Sequence, residues 1–252
     1  MSLLFLERGH FYITLLKQTP PMNPFRLLLC TFSMLTLASC HTVTFSKKQL
    51  NFANQMSAML NGAHVTLDMT TTSSTSEGNF KKFRIGIEGL PSDSVNADAN
   101  FLLASSIPAY MFYKDTIEDR KAYKFIDVVV KTDGKEYTNR YTPYQLQQVD
   151  DCLNTMDGVV RGLISSNVDS LTYYTDTSLI SRSNITFLTG KMKEADTQWG
   201  PIRDKNFKGF RFDEKDVKSY ILFGIYFIRQ SSIQRVTVLI DASTKKVVAY
   251  NV

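Results

Sequence analysis

The chain has 252 residues, of which 43% are hydrophobic, 21% charged and 12% aromatic, and its formal net charge is +5. These proportions exclude disordered, collagen-like and low-complexity classes and suffice for the core of one or two domains. Three cysteines and three histidines are too few for a disulfide framework or a zinc ribbon, so no metal and no other cofactor is expected.

At the N-terminus, Glu7 and Arg8 interrupt the apolar residues of 1–21, and Pro20-Pro21 separates them from the segment starting at Met22. We read 1–21 as a start-site extension with Met22 as the initiator. An N-terminal peptide beginning before Met22, in a precursor blocked in processing, would exclude this. Met22-Asn23-Pro24-Phe25-Arg26 is a basic start, Leu27 to Leu37 is an uncharged and mostly apolar run, and Leu37-Ala38-Ser39-Cys40 closes it. Basic start, short apolar core and small residues at the end are the layout of a secretory signal, and the core is too short to span a bilayer.

Leu37-Ala38-Ser39-Cys40 resembles the lipobox of the bacterial lipoprotein (type II) signal peptide: Leu, two small residues, then Cys. The resemblance implies that residues 22–39 are the signal peptide. It also implies that Cys40 is lipidated, that cleavage falls between Ser39 and Cys40, and that the mature chain is held to a membrane through its N-terminal lipid. His41 stands where an inner-membrane retention signal would have Asp. The expected location is therefore the cell envelope, at the outer membrane of a Gram-negative bacterium. Removing residues 1–39 takes away Arg8, Lys17 and Arg26 against Glu7, which lowers the net charge to +3. No nucleic-acid partner is expected, because that needs a basic stripe. Lys81-Lys82-Arg84 and Lys245-Lys246 read as solvated strand and turn positions. Cys152 then has no partner cysteine in the mature chain and reads as a small buried hydrophobe.

Residues 40–49 form the lipidated cysteine and a polar tether, whose nine residues after Cys40 reach at most about 30 Å. An N-terminal α+β domain spans 50–156. Its amphipathic helix, Leu50 to Asn61, stops at Gly62. Val65, Leu67 and Met69 alternate with Thr66, Asp68 and Thr70, as do Phe83, Ile85 and Ile87 with their neighbours. The two runs predict a hairpin whose Thr/Ser-rich tip, Thr70 to Asn79, is either a soluble loop end or an edge offered to a partner strand. Asn96 caps a helix through Tyr110 that Pro108 kinks or shortens. A second hairpin joins Phe125–Lys131 to Glu136–Tyr141 through Asp133-Gly134. Thr142-Pro143-Tyr144-Gln145 opens a helix with a capping box and Pro at its first position. Leu146, Val149, Leu153, Met156, Val160 and Leu163 form its apolar face. Asp157-Gly158 weakens this helix and marks the boundary to a second domain, 157–252.

The second domain reads as helical segments at Val159–Ser166, Asp169–Asp176 and Ser183–Ala195. Strands come next at Ile202–Asp213, Val217–Arg229, Ile233–Asp241 and Lys246–Asn251. Ile221 to Ile228 is apolar on both faces, which predicts a central strand covered on one side by helices. Helices followed by a four-stranded meander resemble the nuclear-transport-factor-like, or cystatin-like, cone. The fold expected overall is α+β with two small domains: helix, hairpin, helix, hairpin, helix, then the cystatin-like unit.

Mechanism-bearing motifs are missing from the sequence. Gly190-Lys191 matches only the GK of GxxxxGK[ST], since position 185 is Ile. Neither GxGxxG, HExxH nor GxSxG occurs. The adjacent carboxylates Glu118-Asp119, Asp150-Asp151 and Asp213-Glu214 read as solvated faces. Cone enzymes place acid–base groups between helices and sheet, and the resemblance makes Tyr173, Tyr174, Asp176, Trp199, Tyr220 and Tyr226 the candidate pocket; no histidine lies in 157–252. The leading expectation is a membrane-anchored envelope lipoprotein that binds a protein partner or ligand without catalysis. The alternatives are a cone-pocket lyase, isomerase or hydrolase, and a structural component of an envelope assembly. The sequence carries no signal for oligomeric state.

Overall fold

Apolar periodicity and local capping produce five helices and eight strands among the described residues of the computed structural model, which are 47–60, 62–74, 78–90, 98–115, 123–132, 134–215 and 218–252. The expected start-site extension, signal peptide and lipobox lie outside them, as do residues 41–46 of the tether, Asn96 and Glu118-Asp119. The class is α+β.

Helix α1, Lys47–Met59, begins three residues earlier than its periodicity predicts and buries Phe52 and Met56. Strands β1, His64–Ser74, and β2, Gly78–Glu88, pair antiparallel in unbroken register from His64 opposite Glu88 to Ser74 opposite Gly78. Helix α2, Asp98–Asp115, runs through Pro108 and past Tyr110, so the proline does not shorten it. Pro108 is itself buried, so packing on both sides outweighs the lost intrahelical bond. Strands β3, Tyr123–Thr132, and β4, Lys135–Tyr141, are the second expected hairpin. The two hairpins are not separate. β2 and β3 pair in parallel, so the order is β1-β2-β3-β4 and α2 is the crossover of a β2-α2-β3 unit.

Helix α3, Pro143–Ile164, has the capping box that its first residues predict. The Thr142 hydroxyl accepts the Gln145 N–H at 3.1 Å, and the Gln145 side chain accepts the Thr142 N–H at 2.9 Å. The boundary expected at 156/157 falls inside this continuous helix. Met156, Val159 and Val160 are buried there in one contiguous core that runs from Phe52 to Val247, and residues 47–252 pack as one compact unit. Asp157-Gly158 is not a break, because Gly158 serves a contact. A Cβ at Gly158 would stand 2.1 Å from the Tyr174 ring, and one at Gly162 would stand 2.8 Å from Leu171. The two glycines let helix α4, Val168–Tyr174, lie against α3.

Helix α5, Arg182–Trp199, is followed by the meander of β5, Ile202–Lys215, β6, Lys218–Arg229, β7, Ile233–Asp241, and β8, Lys246–Asn251. The second sheet has the order β5-β6-β7-β8, antiparallel throughout. Along β6, Ile221, Phe223, Ile225, Phe227 and Arg229 are buried, while Leu222, Tyr226 and Ile228 on the other face are half-buried. Adjacent serines of α2 serve different sheets. The Ser105 hydroxyl meets the Tyr141 hydroxyl of β4 at 2.9 Å and accepts from Asn139 at 2.7 Å. The Ser106 hydroxyl accepts the Phe210 N–H of β5 at 2.8 Å.

Candidate binding cavity

One face of α3 supplies Leu153, Met156, Asp157 and Val160, spaced i, i+3, i+4 and i+7. Across from it, β5 supplies Lys205 and Phe207 at alternate positions, and β6 supplies Ile225, the register partner of Phe207. Together they line a cavity of about 230 Å³. β5 shifts its register against β6 beside it. A bulge between Phe207 and Gly209, with Gly209 at φ 114°, turns the strand, and Phe207 remains 37% exposed.

The lining is apolar with two exceptions. Asp157 and Lys205 are both exposed and bring one negative and one positive charge to the rim. The volume is below the range of about 300–1,000 Å³ usual for drug-sized ligands. It suits a single bulky apolar side chain or the apolar end of a small molecule, with the rim charges free to meet a polar backbone or a zwitterionic group. Met156 adds a flexible thioether that adapts to the shape of what enters.

None of the six residues expected to form a pocket lines this cavity. Tyr173 is 70% exposed, with its ring at 4.9 Å from that of Tyr174 and the Lys246 ammonium 4.9 Å above it. Tyr174 lies over Gly158. Asp176 organises the turn after α4: its carboxylate accepts the Ser178 N–H and hydroxyl, and its own N–H donates to the Val247 carbonyl at 2.9 Å. The Trp199 carbonyl accepts from the N–H and hydroxyl of Ser231 at the end of α5. Tyr220 and Tyr226 alternate with the buried row of β6 and so belong to its other face. There, the Lys208 ammonium is 4.7 Å from the Tyr226 ring centroid. The apolar run of β6 hid which face each tyrosine takes. The cavity signal lay instead in the apolar stripe of α3 and the Lys205/Phe207 alternation.

Other chemistry-bearing groups have structural partners. Cys152 is fully buried, and burial pushes its thiol up to about 11, against a smaller opposite pull from Lys245. The pair Asp150-Asp151 is not idle surface. Asp150 accepts from the Tyr110 hydroxyl and from Lys114 at 2.9 Å, and Asp151 meets Lys245 at 3.4 Å. Arg229, unremarked in the sequence, is a fully buried cation. It binds Asp196, the Gly200 carbonyl at 3.0 Å and Gln234 at 2.9 Å, closing the C-terminal end of α5. Among the described residues, no group of three or more His, Cys, Asp or Glu is placed to hold a metal ion, and no helix is long and apolar enough to cross a membrane. Comparison with family models, with curated proteins and with solved structures finds no match to this chain.

Proposed function

We propose that this chain is a lipid-anchored envelope protein whose folded body binds an apolar side chain of a partner protein in the cavity between α3 and β5. The observation that carries the anchoring is Leu37-Ala38-Ser39-Cys40, set directly after a short apolar run that begins with Arg26. Because α1 begins at Lys47, six residues separate Cys40 from the body. Extended, that span reaches at most about 25 Å, so a lipidated Cys40 keeps the start of α1 near the membrane surface. His41 directs the anchor to the outer membrane in this reading. The order of α3, α4 and α5 followed by the β5–β8 meander supports reading the second half as a cystatin-like cone.

Binding without catalysis fits the cavity's apolar lining and its exposed rim carboxylate and ammonium. Labelling with an alkyne fatty acid in the native host tests the anchor. Label and membrane association should both vanish in Cys40→Ser, and equal behaviour of the two forms would end the reading. A photo-crosslinker at position 207 tests the cavity. It should capture a partner that is lost when Met156→Trp fills the space, whereas the same products from a crosslinker at the exposed Phe187 would show mere proximity.

A further inference from the structure

Sheet edges present unpaired backbone groups, and proteins usually blunt them with bulges, charges, short strands or a covering segment. Three of the four edges are treated in this way. β8 is covered at Val247, which forms a parallel bridge with Thr175 and accepts the Asp176 N–H. β5 carries two bulges, and the Phe210 N–H is taken by Ser106 of α2. β4 has seven residues, three of them charged, and its Asn139 side chain is bound by Ser105.

β1 differs from all three. It is eleven residues long, without Pro or Gly, and in register with β2 along its whole length. Among the described residues it pairs with β2 alone. Its core-side residues Val65, Leu67 and Met69 are only half-buried, and Thr66, Asp68 and Thr70 on the other face are exposed. α1, which packs beside it, leaves Met59 56% exposed.

We propose that β1 pairs antiparallel with β1 of a second copy about a two-fold axis through Leu67, joining the two four-stranded sheets edge to edge. A second copy is the occupant that fits, because the edge strand left open by the fold is self-complementary. About Leu67, apolar residues stand at −2, 0 and +2, and polar ones at −3, −1, +1 and +3. An isologous interface needs such a self-complementary patch. In this register Leu67 faces Leu67 of the second copy, Val65 faces Met69, Thr66 faces Asp68, and His64 faces Thr70. Both apolar rows continue on one side of the joined sheet, and the two Asp68 carboxylates do not face one another. Centring the axis one residue later would oppose them directly, which is unfavourable.

Cysteine pairs in the full chain test the register. Facing residues have Cα atoms about 4.5–5.5 Å apart, within disulfide range, while four residues of offset puts them about 14 Å apart. Leu67→Cys should form a disulfide-linked dimer under mild oxidation, above the background of the unmodified chain. Val65→Cys and Met69→Cys should each fail alone and link when mixed. Thr66→Cys mixed with Asp68→Cys should link on the exposed face, which keeps the test valid if Leu67→Cys does not fold. The proposal fails if folded variants do not link, if all positions link equally, or if they link only to a chain of different mass.

Discussion

The two sheets are built by different kinds of connection. In the second, every strand pairs with its sequence neighbour through a short turn, and its hairpins can form locally. In the first, the central pair of β2 and β3 is parallel, so it needs a crossover, and α2 supplies it. The meander therefore carries its own instructions, whereas the mixed sheet depends on a helix that also belongs to its neighbour. Each sheet also holds an ion pair with one buried member. In the second, the Arg229 side chain is fully buried at the end of β6. In the first, Asp127 is the buried member, held by Arg140 at 2.7 and 3.0 Å with Lys82 at 3.5 Å.

The largest effect is expected at Arg229. Arg229→Ala strands the Gly200 carbonyl, Gln234 and the half-exposed Asp196, and should cost about 2–3 kcal/mol in urea denaturation. Asp127→Asn should cost only about 1 kcal/mol, because its Arg140 partner is half in solvent. Equal losses would break the contrast between the two ion pairs.

Alkaline pH sharpens the comparison from the side of the first sheet. Burial pushes the Tyr141 hydroxyl up to about 12, against smaller opposite effects of Ser105 and Asn139. The fold thus favours the neutral phenol. That stability is intact below pH 10 and is lost as pH rises toward 12, on the order of 2 kcal/mol. Buried Cys152 adds a loss of the same sign between about pH 9 and 11. Tyr141→Phe should flatten the upper part of this curve in denaturation series at stepped pH.

Removing the link between sheets should have a smaller effect. Ser106→Ala leaves the buried Phe210 N–H without its acceptor, at about 1–2 kcal/mol. Native-state hydrogen exchange should then show the two sheets opening at more widely separated free energies; a uniform loss of protection would contradict the division. The smallest effects differ in sign. Gly162→Ala meets fully buried Leu171 at 2.8 Å and should destabilise by about 1 kcal/mol after its helix-propensity gain. Gly190→Ala meets nothing within 4 Å and should stabilise by up to about 1 kcal/mol. Thermal melts of the two variants would settle the signs.

The same division explains which elements are legible in the sequence. All four strands of the meander lie within two residues of where alternation puts them, because turns and period-2 patterning are local signals. The capping box at Thr142 is equally local. The parallel pairing of β2 with β3 was not legible, since nothing near either strand encodes it. Pro108 and Gly158 misled for a related reason. Both are helix breakers by propensity, but tertiary packing decides their meaning, and for Gly158 the deciding group is a tyrosine on the next helix. In the candidate site, the stripe of Leu153, Met156 and Val160 was visible as an apolar face. That it faces a gap beside the bulge at Phe207 was not. Asp196 and Gly200 lie 33 and 29 residues from Arg229 in the chain, so its role could not be seen in advance.

Ser105 and Ser106 have a consequence for how this protein can change over generations. Consecutive residues on a helix point about 100° apart, which is why neighbouring hydroxyls can serve two sheets at once. Inserting or deleting one residue within α2 would turn both away from their partners together. Relatives should therefore differ freely in the length of the β1–β2 connection while α2 stays fixed in register, as a ruler that cannot gain or lose a single mark.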